Sequence, residues 1–237
     1  VEVKFGNRRL IGIILKIYDK LPENLPYDKS KIRPIIRVLD EKPILTFELI
    51  NIGKWMSNYY ITPIGEVLSS IIPSGKKETE VSAFSFVEEF PNNKEIILSD
   101  EQKKAIDEIL NSDFSSNNYH YLYGTTGSGK TEVFLQVAKA ILKKGKGIIY
   151  LVPEIGLTPQ VIEDVSLRFS STVAVLHSGL TPSQRLSEWN RILNKEARIV
   201  IGARSAVFAP VPDLGLIIID EEHDGSYKSN ISPRYHA

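Results

Sequence analysis

The chain has 237 residues, with 29 Lys+Arg against 29 Asp+Glu, 42% hydrophobic and 24% charged residues, and no cysteine. This is ordinary for a globular protein of one to two domains, at roughly 150 residues each, and excludes a wholly disordered or collagen-like chain. It also excludes a disulfide framework, a thiol nucleophile and Cys-ligated zinc within these residues. No apolar run approaches the roughly 20 residues of a membrane span, and residues 1–10 lack the basic start and apolar core of a secretory signal. A soluble intracellular protein is the expectation.

In chain order, Val1, Val3 and Phe5 already alternate with polar residues, as a strand does. The start at Val1 and the untapered end at residues 233–237 are read as those of a fragment. Residues 1–5 and 10–18 are expected to be strands joined by a Gly6-Asn7 turn, with residues 32–39 as a third. The period then changes. Leu49, Ile52, Met56 and Tyr59 fall at helical spacing, with Thr46 as N-cap and Glu48 in the first turn. A second helix is expected through Ile71, with Thr62 as N-cap and Pro63 at its first position. Trp55, Tyr59 and Tyr60 are read as core packing.

The balanced total charge hides a gradient: residues 1–75 carry a net +3, residues 76–113 a net −5 and residues 114–237 a net +2. The acidic stretch lies between Pro73-Ser74-Gly75 and Pro91-Asn92-Asn93 and reads as a linker or a solvated face. Three regions follow: residues 1–75, a linker over 76–95, and residues 96–237.

Beyond the linker the pattern becomes β/α alternation. Ser99 is expected to cap a helix over residues 100–110, with Gln102 as its capping-box partner. Strands are expected over 119–123, 147–152, 172–176, 198–201 and 216–220, and helices over 130–143, 159–169 and 182–193. The last strand is apolar throughout, which suits burial on both faces of a parallel sheet.

One motif carries chemistry. Gly124, Thr125, Thr126, Gly127, Ser128, Gly129, Lys130 and Thr131 fit G-x-x-x-x-G-K-[ST] at every position, between a predicted strand and a predicted helix. Glycines let successive backbone N–H groups cradle phosphate oxygens, and the helix N-terminus favours an anion. Lys130 supplies charge at the β/γ-phosphates, and the Thr131 hydroxyl can ligate Mg²⁺. Ninety residues after Lys130, aliphatic residues lead into Asp220-Glu221-Glu222-His223. An Asp at the end of a buried strand can hold the same Mg²⁺, and Glu221 can position or deprotonate the attacking water. Alone the acidic cluster would read as a solvated loop; paired with the phosphate loop it points to nucleotide hydrolysis. A small-molecule kinase is the runner-up class, disfavoured because the Asp-Glu pair suits water better than a substrate hydroxyl.

These residues resemble motifs I and II of superfamily 2 helicases. With Val152 to Gln160, Leu176 to Leu180, Ile201 to Ala206, Ser226-Tyr227-Lys228 and Pro233 to Ala237, the resemblance narrows to the replication-restart helicases, the PriA family. Val1 to Gly6, Gly12-Ile13 and Tyr59 to Glu66 are similar to that family's DNA-binding domain. The resemblance implies an α/β fold, a RecA-like P-loop helicase lobe preceded by a small β-rich α+β DNA-binding domain. It implies a 3′→5′ ATP-dependent DNA helicase of the primosome acting at stalled forks, with ATP and Mg²⁺ as cofactors. DNA, primosome proteins and single-strand-binding proteins are the implied partners, in a bacterial, nucleoid-associated setting.

Residue by residue, Gln102 resembles the family's adenine-reading glutamine, beside its capping-box reading. Arg204 and Ser205 look like DNA-backbone contacts, with a structural ion pair as the alternative for Arg204. Tyr227, Lys228, Arg234 and Tyr235 look like a DNA-binding aromatic-rich loop, combining rings for stacking with charges for phosphate. Lys4, Arg8, Arg9 and Lys16 suit single-strand or 3′-end binding, or a solvated hairpin edge protected from aggregation. His177 reads as structural. Against the family pattern, the winged-helix domain has no room in the 20 residues from Ser74 to Asn93. The second helicase lobe, with its arginine finger and zinc-binding cysteines, would lie beyond Ala237. For the chain alone, a DNA- and nucleotide-binding module without hydrolysis is the alternative, as is another superfamily 2 translocase.

Overall fold

The structure, a computed structural model, describes residues 1–26, 28–73, 96–112, 118–125, 127–169 and 172–237. The expected acidic linker over 76–95, Ser74, Gly75 and Thr126 lie outside the described residues. Two compact units are present: Val1–Ile72 with Asn230–Tyr235, and Pro73–Ser229 with His236–Ala237.

In the first unit, β1 (Glu2–Phe5) pairs antiparallel with β2 (Arg8–Ile11) and with β3 (Ile35–Arg37), giving the order β2-β1-β3. Gly6, at φ 59°, supplies the left-handed turn between the first two. The expected strand over 10–18 is corrected: β2 ends at Ile11, Gly12 still exchanges backbone hydrogen bonds with Val1, and residues 13–18 belong to no strand. The third strand is likewise shortened to three residues, beginning just after Pro34, which has no N–H to give a ladder.

Helix α1 (Phe47–Tyr59) starts as the sequence predicts, with the Thr46 hydroxyl accepting from the Leu49 N–H. Helix α2 (Ile64–Ile71) starts one residue later than expected. Thr62 does not cap it; its hydroxyl donates to the Tyr60 carbonyl instead. Leu49, Gly53 and Met56 of α1 and Val67, Leu68 and Ile71 of α2 are buried. A Cβ on Gly53 would come within 2.6 Å of the Leu68 side chain, so glycine is what lets the two helices close up. Trp55 and Tyr59 are corrected as well: they are 56% and 67% exposed, and stack on each other at 5.1 Å rather than on a core.

The second unit is a parallel sheet with the order β5-β6-β4-β7, built from β4 (Gly147–Leu151), β5 (Val173–Leu176), β6 (Ile199–Gly202) and β7 (Leu214–Ile219). Its helices are α3 (Asp100–Leu110), α4 (Lys130–Lys143), α5 (Pro159–Phe169) and α6 (Pro182–Leu193). α3 and α6 both open on complete capping boxes, Ser99 with Gln102 and Thr181 with Gln184. Every residue of β4, β5 and β6 is buried, as continuous apolar runs between helices should be.

Two expectations fail together. β7 is the edge of the sheet, and only Ile218 of its residues is buried; Leu214, Ile217 and Ile219 are 43–48% exposed. Residues 119–123 form no strand, and Tyr119, Tyr121 and Tyr123 are 73–92% exposed. A strand needs a ladder partner, and this segment has none among the described residues. No helix among them is long and apolar enough to cross a membrane.

Candidate nucleotide site

Parallel strands bring their carboxyl ends, and the loops that follow, to one edge of the sheet, where open α/β folds bind ligands. The loop before α4 is shaped by glycine. Gly127 and Gly129 have φ of 80° and 82°, in the left-handed region. Gly129 is the N-cap residue of α4, whose first turn carries no side-chain cap. The helix N-terminus therefore keeps N–H groups available to an anion. Lys130 reaches back over the loop: its Nζ donates to the carbonyls of Gly124 at 2.7 Å and Thr125 at 3.2 Å. The ammonium thus sits across the cradle of its own loop.

Gln102 reaches the same loop. Its Oε1 accepts from the Ser99 N–H at 2.9 Å and its Nε2 donates to the Gly129 carbonyl at 3.3 Å. The two sequence readings are thus compatible: the capping box fixes the side chain, and the fixed amide lies against the phosphate loop. A Cβ on Gly129 would collide with that amide.

Asp220 follows β7 directly. Its N–H donates to the Leu151 carbonyl at 2.9 Å, extending the ladder by one residue. Its Oδ2 accepts from the Tyr150 hydroxyl at 3.1 Å and its Oδ1 from the Glu221 N–H at 3.1 Å. Glu221 has φ 47°, a strained setting for a residue with a Cβ. That turn carries its exposed carboxylate out of the strand direction, 3.6 Å from the His223 ring. Among the described residues no cluster of three His, Asp or Glu side chains could hold a metal alone. Thr131 and Asp220 nonetheless suit Mg²⁺, which keeps several waters and takes one or two carboxylates plus substrate phosphates.

The expected DNA-contact residues divide. Ser205, Lys228 and Arg234 are exposed and Arg204 is half-buried. The Arg204 guanidinium donates to the carbonyls of Ser226 at 3.0 Å and Lys228 at 2.7 Å, so it holds the loop after Asp220. Tyr227 is 1% exposed and its hydroxyl donates to the Asp220 carbonyl at 2.7 Å. Burial, with Asp220, Asp224 and Glu221 nearby, pushes its phenol well above the usual value. Neither Tyr227 nor Tyr235, at 7%, offers an open ring face in this conformation. His177 fits its structural reading: its Nδ1 accepts from the Gly179 N–H, and burial together with Arg185 holds its pKa below the ordinary value.

Sequence reasoning missed Tyr150. The available signal was a lone phenol inside Gly-Ile-Ile-Tyr-Leu, one residue before the end of an otherwise apolar strand. It also missed Glu154, which accepts from the Ser178 hydroxyl at 2.7 Å and ties the loop after β4 to the loop after β5.

Comparison with known proteins agrees with this geometry. Residues 99–236 match the family model described as DEAD/DEAH box helicase, and residues 1–73 match the one described as 3'DNA-binding domain (3'BD). The chain belongs to the DEAD/DEAH box helicases, in the PriA branch, and its second unit is a RecA-like lobe. The chain is 46% identical to the replication restart protein PriA of Treponema pallidum over its whole length, covering 36% of that protein. It is 50% identical to that of Bacillus subtilis over 149 residues, 62% of this chain and 18% of the relative. It is 33% identical to that of Haemophilus influenzae, with all of this chain matched to 42% of the relative. The chain therefore spans well under half the length of these relatives.

Proposed function

We propose that the chain supplies the DNA-binding domain and the ATP-binding lobe of a 3′→5′ DNA helicase that restarts replication at stalled forks. The observation that carries this reading is the convergence on one sheet edge of a glycine-shaped phosphate cradle and an anchored aspartate.

In this reading the backbone N–H groups of residues 125–131 and Lys130 bind the β- and γ-phosphates of ATP. Gln102, fixed by its capping box, reads the adenine edge. Thr131 and Asp220 hold Mg²⁺, which supplies charge neutralisation at the phosphates when bound. Glu221, aimed by its left-handed backbone, accepts a proton from the attacking water. Ser205, Lys228 and Arg234 contact DNA phosphates, so binding weakens as salt rises. Arg204 and Tyr227 connect Lys228 to Asp220 through backbone carbonyls; Tyr235 and Tyr227 would stack on bases only after leaving their buried positions. The amino-terminal unit binds a single-stranded or 3′-terminal DNA end. Primosome and single-strand-binding proteins are the partners, the setting is the bacterial nucleoid, and any zinc is held outside these cysteine-free residues. The unit boundaries near residues 75 and 96 form part of the same proposal.

A complementary lobe carrying an arginine finger is worth roughly 10³ to 10⁵ in rate in nucleotide hydrolysis. The 237 residues alone are therefore expected to bind ATP–Mg²⁺ weakly and to hydrolyse it slowly; robust DNA-dependent hydrolysis by them would overturn this. Lys130→Ala tests the main reading. It should abolish DNA-stimulated phosphate release in the full polypeptide and leave DNA affinity nearly unchanged. If the parent protein binds DNA and ATP but shows no such release, a binding module is the correct reading instead.

A further inference from the structure

Tyr150 occupies a demanding position that the roles above do not use. It is 2% exposed, in a strand otherwise made of Gly, Ile and Leu. β4 and β7 run parallel, with Tyr150 beside Ile218 and Leu151 beside Ile219. Side chains alternate along a strand, so Tyr150, Ile218 and Asp220 share one face of the sheet. The hydroxyl ends on the Asp220 Oδ2 at 3.1 Å. The other carboxylate oxygen is taken by the Glu221 N–H, so both oxygens of Asp220 are held, one by the sheet and one by its own turn.

The ring is fixed independently. It meets Phe134 of α4 edge-on, with centroids 6.2 Å apart. The Thr131 side chain also lies within reach of the phenol. The hydroxyl is thus a donor placed between the first turn of α4 and the end of β7. A buried hydroxyl carries a desolvation cost unless it is bonded, and phenylalanine would fill the same volume without it.

We propose that Tyr150 is a positioning residue. Its hydroxyl holds the Asp220 carboxylate in the orientation in which Asp220 and Thr131 together face a divalent cation bound with nucleotide. The proposal rests on the nucleotide-binding reading and adds a residue to it.

The test is equilibrium binding of a fluorescent, non-hydrolysable ATP analogue to the full polypeptide, with Mg²⁺ and with chelator. The readout is the ratio of the two affinities. Tyr150→Phe should lower that ratio on the order of tenfold, the scale on which outer partners of metal ligands act. Its affinity in chelator should match the parent's. Phe134→Leu is the packing control: it disturbs the ring's neighbour and spares the hydroxyl, so it should lower the unfolding midpoint and keep the ratio. A Tyr150→Phe ratio equal to the parent's overturns the proposal. So does an equal loss of affinity with and without Mg²⁺, or the same fall in ratio for Phe134→Leu, since each would make the role one of packing. A parent that does not bind the analogue at all fails the nucleotide reading itself, and the proposal with it. A parent that binds equally with and without Mg²⁺ fails only the cation role and this proposal.

Discussion

The two sheets among the described residues are built to opposite extremes. In the parallel sheet, β4, β5 and β6 are buried at every residue; in the antiparallel sheet, β2 and β3 are exposed at every residue. One is sealed between helices, so its side chains decide whether the lobe folds. The other presents Phe5, Leu10, Ile11, Ile35 and Ile36 at its surface, so its side chains decide little about its own stability and are open to contact. Within the lobe the contrast recurs at the sheet's two edges. At β5, the fully buried Glu188 of α6 accepts from the Val175 N–H at 3.4 Å and is paired with Arg191, occupying a backbone group that would otherwise be open. At β7 no such cover is present among the described residues.

The sharpest test of this contrast is a matched pair of truncations. Ile148→Ala, in β4 and fully buried, should cost about 2–5 kcal/mol of stability. Ile11→Ala, 80% exposed in β2, should stay within about 0.5 kcal/mol. Chemical denaturation of the two variants reads both. If the costs were equal, the contrast between the sheets would fail. Next comes the capped edge. Glu188→Ala should cost about 3 kcal/mol, because Arg191 then loses the partner of a largely buried pair; its unfolding midpoint against the parent's checks this.

Smaller effects concern ligands rather than folding. Gln102→Ala removes the reciprocal capping-box bond to the Ser99 N–H and the amide on Gly129, while the Ser99 hydroxyl still caps the helix. It should cost about 1 kcal/mol as a lost capping interaction, and should weaken nucleotide binding while DNA affinity stays level. Lys4→Ala with Arg9→Ala should do the reverse, lowering DNA affinity slightly and reducing its salt dependence, with nucleotide affinity unchanged. Parallel titrations with both ligands would show whether the two units divide the work in this way.

Much of the lobe was legible because its signals are local. Ser99 with Gln102 and Thr181 with Gln184 announce two helices; the phosphate loop and the run into Asp220 announce the site. What was not legible depends on neighbours in space. The sequence Leu-Gly-Leu-Ile-Ile-Ile reads as a central strand, yet β7 lies at an edge, since its own residues do not encode what sits beside it. Residues 119–123 alternate correctly but find no ladder. Tyr59 shares a helical stripe with the buried Leu49 and Met56, yet it and Trp55 are exposed. Arg204 was weighed as a DNA contact or an ion-pair partner. It also grips two backbone carbonyls, a role that no spacing rule announces. Tyr150 was hidden for the same reason, since its partner lies 70 residues away.

The central claim is that the loop around Lys130 is a working phosphate site coupled to a separate DNA surface. The most direct measurement is DNA-stimulated phosphate release by the full polypeptide and its Lys130→Ala variant, with DNA affinity recorded on the same samples. The account predicts release in the parent, none above background in the variant, and equal DNA affinity in both. Undiminished release from the variant would contradict it.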